Sequence, residues 1–447
     1  GDLNNDGLED VFIGGIAGQS AAIFLQSKNG NFRELLSKTF DADKASHDTD
    51  AAFFDANGDG QVDIYVSSGG YHNFDPNDKL LQDRLYLGDG KGDFKKKINS
   101  LPNLNSSNSC VVANDINGDG FIDLFVGGRL VPGKYPESPE SIILINDGKG
   151  NFTEATKIYA LDLENMGMVT DALWADMNQD QVKDLVVVGE WMPISVFINI
   201  NGKLENKTSD YFDKKYKGWW NTIEVGDFNG DGQPDIIAGN MGTNTQFKVS
   251  ETESAELYYS DFDQNGSIDP IFCYYIDGKS YPYVTRDELV GQLSRLRSKY
   301  TSYESYSNET ITDVFTEEEL SVANKLTANH MKTTLFLSGN EKYEIAPLPI
   351  QAQYSPVYSI VQSDLNKDGN QDLLLFGNNE HFKLRLGKFD ANYGVMLIGD
   401  GNGSFNYIDQ TESGLKVNGD VSSSVLIDDI LYLSEKGKSV RTYKIAN

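Results

Sequence analysis

The chain has 447 residues, of which 39% are hydrophobic, so it can bury a sizeable core and its composition argues against wholesale disorder. Its formal net charge of −29 repels nucleic acid and anionic membrane surfaces, which argues against both as partners. No apolar stretch reaches the roughly 18–20 residues that a membrane-spanning helix needs. Cys110 and Cys273 provide no disulfide framework, and we expect both to be buried apolar residues.

An acidic motif opens the chain and then recurs. Asp2, Asn4, Asp6 and Asp10 form the first copy of the pattern D-x-[DN]-x-[DN]-G-x-x-D. The first aspartates of successive copies are 53, 60, 61, 51, 34 and 103 residues apart, and periods of about 50–60 residues are typical of propellers and arrays. We number the seven copies as Asp loops 1–7, at residues 2–10, 55–63, 115–123, 176–184, 227–235, 261–269 and 364–372.

The sequence on either side of the Asp loops also repeats. A short β-rich run follows each loop, such as VFIGG at 11–15 and LFVGG at 124–128. Further along comes a strand, a glycine-rich turn and a phenylalanine, as in ILINDGKGNF at 143–152, which is a hairpin signal. Each repeat therefore predicts four short strands, the composition of a propeller blade. We predict an all-β fold: a single β-propeller over residues 1–447, with seven blades favoured and eight open.

The regular spacing breaks in the second half of the chain. Residues 285–330 have helical periodicity and Thr/Asp starts of the capping type, which predicts a small helical insertion. Asp loop 6 precedes this segment closely, and the sequence leaves open whether it belongs to a blade or to an extra hairpin. Residues 425–445 resemble a last blade whose Asp loop has decayed.

The residue types in the Asp loops favour calcium. Ca²⁺ takes six to eight oxygen ligands, and side chains at positions 1, 3, 5 and 9 with the backbone carbonyl of position 7 can surround one ion. Glycine at position 6 permits the sharp turn. The absence of histidine and cysteine from the loops argues against zinc and copper. The predicted ligands are Asp2, Asp55, Asp115, Asp176, Asp227, Asp261 and Asp364 at position 1; Asn4, Asn57, Asn117, Asn178, Asn229, Asp263 and Asn366 at position 3; Asp6, Asp59, Asp119, Asp180, Asp231, Asn265 and Asp368 at position 5; Leu8, Gln61, Phe121, Val182, Gln233, Ser267 and Asn370 at position 7; and Asp10, Asp63, Asp123, Asp184, Asp235, Asp269 and Asp372 at position 9.

The loops differ from EF-hands after their sixth position. An EF-hand needs a glutamate at position 12 and flanking helices, whereas position 12 here is apolar and lies in a predicted strand. One such loop alone could be an ordinary Asx-rich turn, but the recurrence favours up to seven Ca²⁺ sites. Gln181 replaces the position-6 glycine of loop 4, so we expect that site to be weak or distorted.

The paired pattern, DxNxDGxxD followed by an apolar strand and then NDGxGxF, resembles the FG-GAP/VCBS repeat family of integrin-α-like propellers. Longer sequence segments, such as GWWNTIEVGDFNGDGQPD at 218–235, are similar to the C-terminal propeller of large Bacteroidetes VCBS-repeat surface proteins. The resemblance implies Ca²⁺ at the Asp/Asn positions and a secreted protein or one lipid-anchored at the outer membrane. It also implies a protein partner, such as a SusC/SusD-type transporter. Because the chain begins inside a motif, we expect an N-terminal part of the precursor to be missing.

Catalytic signals are weak. The four histidines lie in no metal-type spacing, and no nucleophile elbow or phosphate-binding glycine loop is present. The best candidate is the segment 68–86 with Tyr71, His72, Asp83 and Arg84, which suits a polysaccharide lyase or hydrolase. The alternative is a surface loop held by an Asp–Arg pair. We predict that the chain is not an enzyme.

A binding or scaffold module at the cell surface is the favoured hypothesis. Trp191, Trp219 and Trp220 lie near predicted blade ends, where they could anchor a protein or a glycan, or pack between blades. The insertion carries Tyr300, Tyr303 and Tyr306 and could cap the channel or dock a partner. No cofactor besides Ca²⁺ is expected.

Overall fold

The computed structural model describes residues 1–35, 37–71, 74–339, 341–383 and 387–445. Strands account for 39% of the chain and helices for 11%, which confirms the predicted all-β class. The strands form eight antiparallel sheets. Seven of them follow one another around the molecule, and we number these blades 1–7; the eighth is the inserted sheet.

The first four blades follow chain order. Blade 1 has β1 (Val11–Ile13), β2 (Ala22–Gln26) and β3 (Phe32–Leu35); blade 2 has β4 (Asp48–Phe54), β5 (Asp63–Ser68), β6 (Arg84–Gly88) and β7 (Phe94–Lys96); blade 3 has β8 (Ser107–Asn114), β9 (Asp123–Leu130), β10 (Ile142–Asn146) and β11 (Phe152–Glu154); blade 4 has β12 (Met168–Ala175), β13 (Asp184–Pro193), β14 (Ser195–Ile200), β15 (Lys203–Asn206) and β16 (Lys217–Trp219).

The inserted sheet interrupts blade 5, whose halves still pair directly through Ile236 and Phe336. Blade 5 has β17 (Thr222–Gly226), β18 (Asp235–Gly239), β23 (Thr334–Leu337) and β24 (Glu344–Ala346); the inserted sheet has β19 (Ala255–Ser260), β20 (Asp269–Ile276), β21 (Lys279–Pro282) and β22 (Asn324–Ala328); blade 6 has β25 (Val357–Ser363), β26 (Asp372–Gly377), β27 (Val395–Gly399) and β28 (Phe405–Ile408); blade 7 has β29 (Val421–Ile427), β30 (Ile430–Glu435) and β31 (Arg441–Lys444).

The helices are short and connect strands. They are α1 (Lys38–Ala42), α2 (Thr156–Tyr159), α3 (Thr208–Tyr211), α4 (Arg286–Gln292), α5 (Ile311–Val314), α6 (Glu317–Val322) and α7 (Gln410–Ser413), with 3₁₀ turns at Lys79–Leu81, Leu161–Leu163, Ser294–Arg297 and Ile350–Gln353. Within the described part of the chain, no helix combines the length and the apolar character needed to cross a membrane.

The blades stack face to face in a ring. From blade 2 to blade 7, the first strand of each blade packs against the first strand of the next. The rings of Phe32 in blade 1 and Tyr432 in blade 7 meet with centroids 5.4 Å apart, which brings the first and last blades together. Because both faces of a blade are covered, second strands such as β5 and β26 are buried along their whole length. Their sequences are accordingly near-continuous apolar runs.

The inserted sheet lies between β18 and β23 and carries the helical segment. Helices α4, α5 and α6 fall within residues 285–330, and so does strand β22. The helices cover one face of the inserted sheet, where Leu289 and Phe315 pack with Ile271 and Cys273. Thr285 and Thr316 cap α4 and α6 through their side chains. Asp loop 6 connects β19 to β20, so it belongs to the inserted sheet and not to one of the seven blades.

The second face of the inserted sheet rests on the propeller. Leu257 and Ala328 pack there against Trp191 of blade 4 and Phe389 of blade 6. Strand β18 begins at Asp loop 5 and ends where the insertion starts. The insertion therefore covers the end of the propeller opposite the Asp loops of the blades.

Candidate metal loops

Each of Asp loops 2–7 joins two antiparallel strands at one end of a sheet. In loops 2–7, position 1 directly follows the first strand and position 9 is the first residue of the second, as in the pairs Phe54–Asp63 and Asn114–Asp123. In blade 1, Asp10 directly precedes β1. Loops 2–7 therefore begin and end at equivalent points of their sheets, and loop 1 ends beside the start of its strand.

The aspartate at position 1 organises the turn. In loop 2, the N–H groups of Asp59 and Gly60 donate to the two carboxylate oxygens of Asp55, at 3.2 and 2.7 Å. The N–H of Gln61 in turn donates to Asp59 (2.9 Å). The same three bonds recur in the other six loops. The chain is thereby wrapped around the first carboxylate, with the side chains of positions 1, 3 and 5 on the same turn.

The aspartate at position 9 ties the loop to the sheet. In loop 3, Oδ2 of Asp123 accepts the N–H of Ile116 at position 2 (3.1 Å), and Oδ1 accepts the N–H of Asn146 on the third strand (2.9 Å). The position-2 bond is present in all seven loops. The third-strand bond is present in all six loops that belong to blades. Position 9 thus stabilises both the loop and the strand order.

Without an ion, these buried carboxylates are strained electrostatically. Burial raises the pKa of all seven position-9 aspartates, and repulsion from other carboxylates of the same loop raises the pKa further. The pKa reaches about 6 at Asp63 and at Asp123. A cation among the carboxylates would replace repulsion by attraction.

Loop 6 gives the clearest test of fit to a hard cation. Oxygen atoms of Asp261, Asp263 and Asp269 lie within 4.8 Å of one another. Oδ1 of Asp263 is buried and accepts no hydrogen bond. A buried carboxylate oxygen without a partner is costly unless a cation satisfies it. The donors are all oxygens, as Ca²⁺ prefers, so the residues present fit this ion.

Loop 4 keeps the common geometry despite Gln181. The N–H of Gln181 donates to Asp176 at 2.8 Å, as the position-6 glycines of the other loops do to theirs. To do so Gln181 adopts a φ of +70°, a left-handed conformation that costs a residue with a side chain about 1–2 kcal/mol. The hydrogen bonds are therefore those of the other loops, and the difference at loop 4 is backbone strain at one residue. That its ion is bound more weakly stays a prediction.

Two residues of the catalytic candidate in blade 2, Asp83 and Arg84, make structural contacts. Asp83 is buried and accepts hydrogen bonds from Tyr65 Oη (2.8 Å) and from the N–H of Ser68 (2.7 Å). Arg84 pairs with Asp48 at 2.6 Å, and both side chains are nearly inaccessible to solvent. Asp48 was not identified from the sequence because it lies 36 residues before its partner. Tyr71 is half-buried, and His72 lies outside the described residues. Asp83 and Arg84 thus hold the loop rather than facing an open site.

The tryptophans are packing residues. Trp220 is fully buried and its ring stacks on His330, with centroids 5.5 Å apart. Trp191 is 5% exposed, contacts Trp219 edge to face and donates from Nε1 to Tyr135 Oη (3.0 Å). Together Trp191 and Trp219 form part of the surface on which the inserted sheet rests.

The tyrosines of the insertion have different environments. Tyr300 is buried among α4–α6, and Tyr306 donates to the Val284 carbonyl oxygen (2.9 Å). Tyr303 is 63% exposed. The first two therefore stabilise the insertion, and Tyr303 alone of the three presents most of its ring to solvent.

Comparisons with known proteins agree with the repeat pattern. A family model described as an FG-GAP-like repeat matches residues 2–66 and 176–238. No curated protein sequence matches the chain significantly. Similar solved structures include the Vibrio cholerae biofilm matrix protein Bap1 (12% identity, 100% of this chain and 86% of that chain, TM-score 0.37) and the Dos1 propeller (11%, 97% and 75%, 0.40). Another is the rhamnogalacturonan lyase YesW (12%, 96% and 80%, 0.36). The chain carries FG-GAP-like repeats at residues 2–66 and 176–238 and folds as a β-propeller.

Proposed function

We propose that this chain is a calcium-stabilised β-propeller that serves as an extracellular binding or scaffold module. The observation that carries the calcium part is the unpartnered, buried Oδ1 of Asp263 beside Asp261 and Asp269. The hydrogen-bond pattern of loop 6 recurs in the six other Asp loops, which supports one Ca²⁺ per loop and up to seven in all.

The ions would act on stability and not on chemistry. Positions 1, 3, 5 and 9 of each loop would hold the ion with the carbonyl of position 7. Bound Ca²⁺ would screen the carboxylates that repel one another in the loop and thereby fix the turn between the first and second strands. Seven ions add 14 positive charges, which changes the formal charge from −29 to −15.

Calcium supply supports the proposed extracellular location. Loops of extracellular modules bind Ca²⁺ with dissociation constants of about 10⁻⁴–10⁻³ M, so they fill outside the cell but not in the cytosol. The family resemblance adds a lipid anchor at the outer membrane and a partner such as a SusC/SusD-type transporter. The alternative, a polysaccharide lyase or hydrolase, has less support, since Asp83 and Arg84 are engaged with buried partners.

Calorimetric titration of metal-free protein with Ca²⁺ tests the calcium part. We expect up to seven ions per chain, and one fewer in Asp263→Ala. The control is Asp287→Ala, which removes an exposed aspartate from the same insertion and should leave the number unchanged. A protein that binds no Ca²⁺, or an Asp263→Ala variant with the wild-type number, would contradict the assignment.

Copurification from the native membrane tests the binding part. A stable complex with an outer-membrane transporter or with glycan supports a binding module. Conversion of a polysaccharide by the purified chain would support the enzyme alternative instead.

A further inference from the structure

A groove of about 920 Å³ opens at the Asp-loop end of the propeller, where blades 4, 5 and 6 meet. Tyr211 of α3 lines it on the blade 4 side and Asn402 on the blade 6 side. Ser338 and Lys342, from the segment that joins β23 to β24 in blade 5, lie between them. The volume is within the range of about 300–1,000 Å³ that is usual for ligand sites.

In other blades, the turn between the third and fourth strands covers the Asp loop of the preceding blade. In blade 3, Nδ2 of Asn146 donates to the Ala56 carbonyl oxygen of loop 2 (2.9 Å). In blade 6, the N–H of Gly403 donates to the Phe228 carbonyl oxygen of loop 5 (2.9 Å). These contacts close the space between neighbouring blades.

Among the described residues of blade 5, no equivalent contact reaches the Asp loop of blade 4. Ser338 takes the place of Asn146, since its N–H makes the equivalent bond to a position-9 aspartate, Asp235. The Ser338 hydroxyl bonds to Asp231 in its own blade (3.1 Å) instead of reaching blade 4. This segment of blade 5 contacts α3 of blade 4 instead, where the N–H of Tyr343 donates to the Tyr211 carbonyl oxygen (2.8 Å). Met177 of loop 4 is left on the groove wall.

The groove walls combine aromatic rings with groups that can donate and accept hydrogen bonds. The rings of Tyr211 and Tyr343 stack, with centroids 5.9 Å apart, and both line the groove. The side-chain amides of Gln233 and Asn402, which are not among the predicted Ca²⁺-binding groups, lie along it. Amides both donate and accept, while aromatic rings pack against the C–H faces of a ligand. A ligand rich in hydroxyl groups meets both requirements.

The charge of the groove excludes anions. Apart from Asp231, which is a predicted Ca²⁺ ligand, three carboxylates line it, those of Asp210, Glu341 and Glu344, against one amine, that of Lys342. Among the described residues, the side chains of Asp210, Glu341 and Glu344 form no hydrogen bond or ion pair. Hydroxyl groups can donate to such carboxylates, whereas a uronic acid or a phosphate would be repelled.

We propose that this groove binds a neutral oligosaccharide. This proposal rests on the proposed function, because it names the class of ligand that the binding module would take. The ring of Tyr211, stacked on the buried Tyr343, faces the sugar. The amides and carboxylates take its hydroxyl groups, and the surplus of carboxylates rejects acidic glycans.

The test uses the whole chain saturated with Ca²⁺ and measures binding by calorimetry. The probes are neutral oligosaccharides of the malto-, cello-, xylo- and manno- series, an oligogalacturonate, and a lysine-rich peptide. At least one neutral series should bind. Tyr211→Ala should weaken that binding by about three- to tenfold, and Asp210→Asn, an exposed change that leaves packing intact, should also weaken it. The matched controls are Tyr393→Ala and Asp162→Asn, both exposed and outside the groove, which should bind like the wild type.

Three results would overturn the proposal: no binding of any neutral series, binding of oligogalacturonate or the peptide instead, or wild-type affinity in both groove variants. A melting curve of the same sample with and without chelator reads the calcium claim separately. If melting depends on calcium but no sugar binds, only the groove proposal is contradicted. If melting does not depend on calcium and no sugar binds, the proposed function is contradicted as well.

Discussion

At the scale of the residue, the position-9 aspartate has a role that the motif alone did not reveal. The sequence identified Asp123 as a candidate ligand from its place in the loop. Its bond to Asn146, 23 residues away, appears only when the third strand is in place. For Asp235 the equivalent partner, Ser338, is 103 residues away because the insertion intervenes. Local sequence patterns predict the Asp loop, whereas the hydrogen bond that anchors the loop to its sheet depends on residues far away in the sequence.

The strain at Gln181 gives a prediction for a single residue. Gln181→Gly should raise the free energy of unfolding by about 0.5–1 kcal/mol, because relief of the left-handed strain exceeds the entropy that glycine adds to the unfolded chain. Chemical denaturation in calcium measures the change. Lys183→Gly in the same loop is the control and should be destabilising, since Lys183 has no positive φ. An equal decrease in the free energy of unfolding in both variants would show that Gln181 is not strained.

At the scale of the element, the first strands of the blades carry acidic groups toward one another. Asp50 on β4 and Asp171 on β12 accept the N–H groups of Val111 and Ile223 on the next blades, at 2.9 and 3.0 Å. Burial raises the pKa of Asp50 to about 7 and of Asp171 to about 6. Burial, together with repulsion from Asp171, raises the pKa of Glu224 on β17 to about 7.

These shifts predict the direction of a pH dependence. Between pH 4.5 and about 7 the unfolded state loses the proton of Glu224 while the folded state keeps it, so stability falls as pH rises and then levels off. In calcium-saturated protein, Glu224→Gln should reduce this slope by up to about 1.4 kcal/mol per pH unit. Denaturation curves across this range measure it, with the exposed Glu34→Gln as control. An unchanged slope in Glu224→Gln would contradict the assignment.

The insertion gives a prediction for a whole element. The N–H of Gly242 donates to the Met331 carbonyl oxygen (2.7 Å), so residues 243–331 can be removed and Gly242 joined to Lys332. We expect the tryptophan emission to shift to longer wavelength, because Trp191 and Trp219 lose the sheet that covers them. Loop 6 leaves with the insertion, so the number of bound Ca²⁺ ions should fall by one. Unchanged emission would show that the inserted sheet does not cover these rings.

At the scale of the molecule, the propeller could be predicted from the sequence. For the insertion, the sequence predicted the helices but not the whole sheet that carries them. Repeats of about 50–60 residues predicted the blades because each repeat is a local unit of loop, strands and hairpin. The pairing of β19 with β22, as between Ala255 and Ala328, joins segments with no repeat pattern, so the sheet under the helices was missed. The groove was missed for a similar reason, since Tyr211 and Tyr343 meet only in the fold.

The central claim is that calcium stabilises the native propeller. A thermal melt in millimolar Ca²⁺ and again with excess chelator tests it directly, with Mg²⁺ at the same concentration as control. Ions that bind only the folded chain must raise its midpoint. At about 1 mM Ca²⁺ and dissociation constants of about 10⁻⁴–10⁻³ M, each of up to seven sites contributes about 0.4–1.4 kcal/mol. Chelation should therefore lower the midpoint by about 3–10 °C, and Mg²⁺ should not restore it. A midpoint that is the same with and without chelator would contradict the account.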